Sequence, residues 1–208
     1  MLVVHHLNDS RSQRVLWLLE ELGLPYDIKH YQRDALTRLA PPELKAVHPL
    51  GKSPVLTDGA RTVIESGAIV DYVIRHHGHG QLQPATSSPD FEIYQQWLHY
   101  AEGSAMLPFL LKLYVSRLGE AGAPLSPRIE SEIANHLGFV EQSLQGRHWL
   151  VGDALSGADI MISFVGEVAG SRADRSSYPN LDAWVKRFQQ RPAYRKALER
   201  GGPYAFAS

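Results

Sequence analysis

The chain has 208 residues, enough for one large domain or two small ones, and a hydrophobic content of 44% supports a packed core over general disorder. A net charge of −1 with no basic block argues against nucleic-acid binding, and no uncharged apolar stretch is long enough to cross a bilayer. There is no cysteine, which excludes disulfides, thiolate metal sites and any mechanism in which the protein supplies its own thiol. Met1-Leu2-Val3-Val4-His5-His6 lacks a cationic segment followed by a long apolar run, so no secretory leader is expected and the expected setting is the cytosol.

Leu2-Val3-Val4 reads as a first strand, which His5, His6 and Leu7 extend. Asn8-Asp9-Ser10 is a turn and cap cluster. A helix follows, with Val15, Leu16, Leu18, Leu19 and Leu22 apolar and Gly23 at its end. Tyr26, Ile28 and His30 alternate with polar neighbours as a second strand. This β-α-β opening normally joins parallel strands by a right-handed crossover. A surface segment with a short helix near Pro42–Val47 comes next.

The stretch from Gly51 to Gly67 is the most informative. Pro54 stands where a strand begins, as a residue without an N–H must. Val55-Leu56-Thr57 and Thr62-Val63-Ile64 are two strands joined by Asp58-Gly59, and Ser66 is expected to cap the next helix. Backbone beside Pro54 could meet an extended peptide. Ser66 with the helix N-terminus could hold a carboxylate, and Glu65 could hold an ammonium. Together they would suit the zwitterionic end of a small peptide. The same residues also fit an ordinary hairpin followed by a capped helix.

His76-His77-Gly78-His79-Gly80 reads as a solvated helix terminus and not a metal site, and residues 81–89 have linker composition. The remainder is helical. Phe91 to about Leu118 carries Pro108 as a candidate kink, and Pro127 suits the first turn of a helix running to Leu144. Ser156-Gly157-Ala158-Asp159 is a capping-box type sequence before the nearly all-apolar run Ile160 to Val165. Further helices begin near Pro179 and Pro192.

This order of pieces resembles the cytosolic glutathione S-transferases, closest to their serine-type bacterial and fungal branch. The matching segments are Ser10-Arg11-Ser12-Gln13-Arg14-Val15-Leu16, His48 through Leu56, Glu65-Ser66-Gly67-Ala68-Ile69, and the cap from Ser156 to Asp159. The resemblance implies an α/β thioredoxin-like domain over residues 1–80, a linker over 81–89 and an all-helical domain over 90–208. It implies glutathione as co-substrate, with no other cofactor and no metal. It also implies a cis Pro54, with Ser53, Pro54 and Val55 meeting the cysteinyl part of the peptide, Glu65 and Ser66 its γ-glutamyl end, and Lys52 its backbone or glycyl carboxylate. A solvated surface lysine remains the alternative for Lys52.

Ser10 is the implied catalytic residue, with Asn8 and Ser12 beside it. A free thiol has a pKa near about 8.5, so a hydroxyl hydrogen bond and a helix N-terminus would both favour the thiolate. Ser10 as a plain helix cap is the alternative. No tyrosine lies between positions 5 and 13, which argues against a tyrosine-type enzyme. Tyr100, Ser104 and Leu107 share a helical face by spacing and are candidates for an electrophile pocket, with Tyr204 as a cover. The expected activity is detoxifying transfer of glutathione to small hydrophobic electrophiles by a homodimer, without membrane or nucleic-acid partners. The alternatives are glutathione-dependent reduction of peroxides or small disulfides, and a non-catalytic glutathione-binding regulatory protein.

Overall fold

The structure, a computed structural model, describes residues 1–172 and 175–207. Its first elements are β1 (Leu2–Leu7), α1 (Ser12–Glu21), β2 (Tyr26–Tyr31), α2 (Glu43–Val47), β3 (Val55–Asp58), β4 (Arg61–Ile64) and α3 (Ser66–His77). The strands form one mixed sheet in the order β2-β1-β3-β4, with β1 parallel to β2 and antiparallel to β3. Alternation along β1 divides its side chains between two faces. Leu7 packs with Tyr31 and with Leu44 of α2.

α1 presents Val15, Leu16, Leu18 and Leu19, all fully buried. It ends as its sequence dictates, with Gly23 at a φ of 62°. At the far end of β3, Asp58 accepts hydrogen bonds from Tyr72 and His77 of α3, each at 3.0 Å. The Tyr72 bond, with that of His77, outweighs partial burial and holds Asp58 below its ordinary 3.8. A depressed carboxylate stabilises the fold above its unfolded pKa, and that contribution is lost as pH falls through the folded value. Thermal unfolding should therefore shift downward below pH 3.8, and Asp58→Asn should flatten that acid limb.

The helical part contains α4 (Asp90–Tyr100), a π-helical turn (Ala101–Ala105), α5 (Leu107–Val115), a 3-10 segment (Ser116–Leu125), α6 (Ser126–Ser143), α7 (Gly157–Arg172), a short 3-10 turn (Arg175–Ser177), α8 (Pro179–Gln189) and α9 (Pro192–Gly201). The expected kink at Pro108 takes the form of the π turn, in which the Met106 N–H reaches back to the Ala101 carbonyl at 3.1 Å. Proline cannot donate to the carbonyl four residues earlier, so the helix widens just before it. α7 is buried along its first half, as its apolar sequence requires. No helix among the described residues is long and apolar enough to cross a membrane.

Two compact units result, Met1–Gln83 with Phe188–Ala207, and Pro84–Arg187. Residues 188–207 thus pack with the first 83. Trp17 of α1 stacks on Phe188 at 5.1 Å and meets Tyr194 of α9 edge-on at 5.5 Å. Arg191 clasps Glu21 through two nitrogens, and Lys196 and Arg200 both reach Glu20. Gly201 completes the contact, since a Cβ there would stand 2.8 Å from Gln13 Oε1 and 2.9 Å from a Leu16 methyl.

Candidate active site

The pairing of His5 with Val55 across β1 and β3 brings two loops to the same end of the sheet. One is the Asn8–Arg11 turn between β1 and α1. The other carries Ser53-Pro54, whose peptide bond is cis; Pro54 has no N–H to give to the ladder, which begins at Val55. The Ser53 hydroxyl donates to the His5 carbonyl at 2.9 Å and ties its loop to β1. Lys52 is exposed.

The link from β4 to α3 differs from the expected cap. Glu65 occupies the N-cap position with a φ of 67°, and Ser66 is the first helical residue. Positive φ is strained for a side chain such as Glu, and such residues gather at functional sites. It turns the exposed Glu65 away from the helix and leaves the first-turn N–H groups without a side-chain cap. Ser66 is 3% exposed. A buried hydroxyl beside open helix N–H groups and their dipole is suited to a carboxylate.

The Asn8–Ser12 turn is more tightly built than its sequence suggests. Asp9 adopts a φ of 49°. Asn8 Oδ1 accepts from the Arg33 N–H at 2.8 Å, and the Arg33 guanidinium donates to the carbonyls of Asn8 and Asp9. Asp9 pairs with Arg38 at 3.3 Å and accepts from the Ala205 N–H at 2.8 Å. Asn8 is therefore committed to holding the turn. The sequence reading assigns His6, Asp9 and Arg33 no role in the site. Arg33 lies 25 positions from Asn8, and nothing local signals the contact.

Ser10 and Ser12 are buried, with Ser10 4% exposed. Their hydroxyl oxygens are 2.7 Å apart, and Ser10 Oγ also accepts from the Ser12 N–H at 3.2 Å. Ser12 Oγ lies 2.9 Å from His6 Nδ1. Burial, reinforced by neighbouring His30, pushes His6 down to about 4, so it is neutral near pH 7. The N-cap residue of α1, Arg11, makes no side-chain cap bond, and Ser10 Oγ accepts only the first N–H, so the head of the helix dipole faces this turn.

Of the three candidates for an electrophile pocket, Tyr100 lines a cleft of about 400 Å³ with Trp97, Phe139 and Leu150. The π turn between Tyr100 and Leu107 changes the angular register that ordinary helical spacing assumes. The Tyr100 hydroxyl engages His136 at 2.7 Å, and burial pushes its pKa up to about 12. Leu107 is exposed. Tyr204 lines a different cleft, of about 330 Å³, with His6, Asn8, Asp9 and His30.

Residues 1–75 match the family model described as glutathione S-transferase, N-terminal domain, and residues 92–192 match that described as glutathione S-transferase, C-terminal domain. Glutathione S-transferase 1 of Saccharomyces cerevisiae is 34% identical over 220 aligned positions, covering 95% of this chain and 94% of that protein. A glutathione S-transferase crystal structure from Actinobacillus pleuropneumoniae superposes with a TM-score of 0.89 at 35% identity, covering 97% of this chain and 93% of the other. A sphingomonad glutathione S-transferase, solved in complex with glutathione, superposes with a TM-score of 0.81 at 25% identity, covering 96% and 98%. With its thioredoxin-like sheet, its cis Ser53-Pro54 bond and its helical second half, the chain belongs to the glutathione S-transferase family.

Proposed function

We propose that this enzyme joins the sulfur of glutathione to small hydrophobic electrophiles, in the manner of the family's serine-type branch. One observation carries the proposal: the Asn8–Ser12 turn at the head of α1 and the Ser53-Pro54 loop lie at the same end of the sheet, with Ser53 Oγ tying its loop to the His5 carbonyl of β1. The Ser66 end of α3 lies in the same unit. In this reading Ser53, Pro54 and Val55 meet the cysteinyl backbone. Ser66 and the α3 N-terminus take the γ-glutamyl carboxylate, Glu65 its ammonium, and Lys52 the glycyl end. Ser10 and the α1 dipole favour the thiolate.

The magnitudes fit. Lowering a thiol pKa by one to two units requires roughly 1.4–2.7 kcal/mol. One hydrogen bond to a charged group contributes about 1.5–3 kcal/mol. The ionised sulfur then attacks the electrophilic carbon, the carbon–leaving-group bond breaks, and the thiol proton leaves with the departing group. With no cysteine in the chain, a protein–glutathione mixed disulfide is not an intermediate.

Assays of chloronitrobenzene, cumene hydroperoxide and a model disulfide, each with glutathione, test the reaction class. Conjugation of the chloronitrobenzene as the fastest of the three is expected. A faster peroxide or disulfide reaction would reassign the chemistry, and binding without any turnover would point to a regulatory protein. Ser66→Ala should weaken glutathione roughly fivefold with kcat little changed, the equivalent of about 1 kcal/mol for one hydrogen bond, as read by calorimetry beside steady-state kinetics. Homodimer assembly in the cytosol belongs to the same proposal, and sedimentation as a monomer at micromolar concentration would count against the dimer.

A further inference from the structure

We infer that Ser12 and His6 are positioning residues that compete with the glutathione sulfur for the hydroxyl hydrogen of Ser10, and so hold the bound thiol's pKa above the value Ser10 alone would set. The inference rests on the glutathione reading above and deepens it. It follows from assigning every hydrogen in the Ser10–Ser12–His6 chain.

His6 closes the chain. The His6 ring packs against Gly201, whose backbone favours the protonated ring, and this places the N–H of the neutral ring on that side. The other ring nitrogen, Nδ1, lies 2.9 Å from Ser12 Oγ. A neutral imidazole has one donor and one acceptor nitrogen. With the N–H on the Gly201 side, Nδ1 accepts, and the single Ser12 hydrogen serves it and the Leu7 carbonyl, to which Ser12 Oγ donates at 3.3 Å; neither acceptor is Ser10. Ser12 Oγ can then only accept elsewhere. It does so from the Leu7 N–H at 3.3 Å and from Ser10 at 2.7 Å. Ser10 therefore donates inward to Ser12, while its oxygen accepts from the Ser12 N–H at 3.2 Å. A thiolate at this hydroxyl must compete with Ser12 Oγ for its hydrogen, and so gains only part of the bond that a free hydroxyl would give.

The groups facing His6 keep it neutral. His30 on β2 disfavours a second positive charge, Asp9 in the turn favours it, and burial outweighs Asp9. Across the working pH range the chain keeps one direction. Such restraint has a use. Intrinsic nucleophilicity falls with thiol pKa, and the best attacking thiol has a pKa near the ambient pH. A Ser10 hydroxyl wholly given to sulfur would carry the thiol past that optimum.

The test is the ultraviolet titration of the thiolate in the glutathione complex of the whole enzyme. Ser12→Ala frees the Ser10 hydrogen, and the bound thiol's pKa should fall by about one unit, a tenfold change in ionisation constant. His6→Leu removes the acceptor that orients Ser12 and should shift the pKa the same way; it decides the matter if Ser12→Ala fails to fold. A purely structural role for either residue would not lower a ligand's pKa. An unchanged or raised value in the folded variant overturns the inference. Nitrogen NMR of His6 in the ligand-free protein separates this from the glutathione reading: Nδ1 unprotonated at pH 7 is expected, and an Nδ1–H tautomer overturns the competition whatever the enzyme binds. Failure of the wild-type protein to bind glutathione would overturn the parent reading and the thiol-tuning role together.

Discussion

Asp159→Ala is expected to destabilise the helical unit by about 4 kcal/mol or more, enough to leave much of the protein unfolded at moderate temperature. The carboxylate is fully buried and accepts four hydrogen bonds. They come from the Leu150 N–H at 3.0 Å, the Ser156 N–H at 3.0 Å, the Ser156 hydroxyl at 3.1 Å and the Trp184 indole N–H at 3.0 Å. Alanine leaves these buried donors unsatisfied, at about 1–3 kcal/mol each before relaxation. Asp159→Asn keeps one acceptor oxygen but turns an amide N–H toward Ser156, so it should fall between the two. Denaturant unfolding, with the midpoint read at constant slope, checks the order wild type, Asn, Ala. Burial pushes Asp159 up to about 6, against the pull of its four donors. With its folded pKa above its unfolded one, the folded state binds more protons between 3.8 and about 6. The group's contribution therefore rises as pH falls through that window, and it does not drive acid unfolding.

Ser10→Ala should lower conjugation of a chloronitrobenzene by roughly tenfold or more, the rate equivalent of one charge-assisted hydrogen bond. Glutathione affinity should survive, because the peptide-holding groups lie at Ser53–Val55 and Glu65-Ser66. The loss should appear in kcat at neutral pH and shrink at alkaline pH, where the thiol ionises unaided. Unchanged turnover would move thiolate stabilisation to the backbone N–H groups at the head of α1. Asn8 is a poor substitute, since its carboxamide nitrogen donates to Asp9 at 3.2 Å while its oxygen accepts from the Arg33 N–H.

The elements written in local chemistry were legible in the sequence. Alternating strands, Asp58-Gly59, the Gly23 stop and the Ser156–Asp159 box each fix their own geometry within a few residues. The Ser156–Asp159 box forms with reciprocal bonds, Ser156 N–H to Asp159 and Ala158 N–H to Ser156. The departures come from distant or cumulative effects. Ser66 looks like an N-cap by composition, but the chain leaving β4 takes up Glu65 at positive φ and moves Ser66 one place inward. Tyr100, Ser104 and Leu107 share a face only if the helix is regular, and Pro108 removes that regularity. α9 reads as one more amphipathic helix. Only its partner shows where it belongs, through Trp17, Glu20 and Glu21 of α1. Within the site, Ser10 was visible from its position before α1. The His6 to Ser12 contact joins a strand end to a helix start, and the Arg33 clamp comes from beyond β2; neither has a periodic or motif signature.

The central claim is that the Asn8–Ser12 turn receives the glutathione sulfur while the Ser53–Ser66 region holds the peptide. A crystal structure of the enzyme with glutathione tests it most directly. The account predicts the sulfur within hydrogen-bond reach of Ser10 Oγ, the cysteinyl backbone along Ser53-Pro54-Val55, and the γ-glutamyl carboxylate against Ser66 and the first turn of α3. A tripeptide bound in the reverse direction, or with its sulfur turned away from the head of α1, would contradict it.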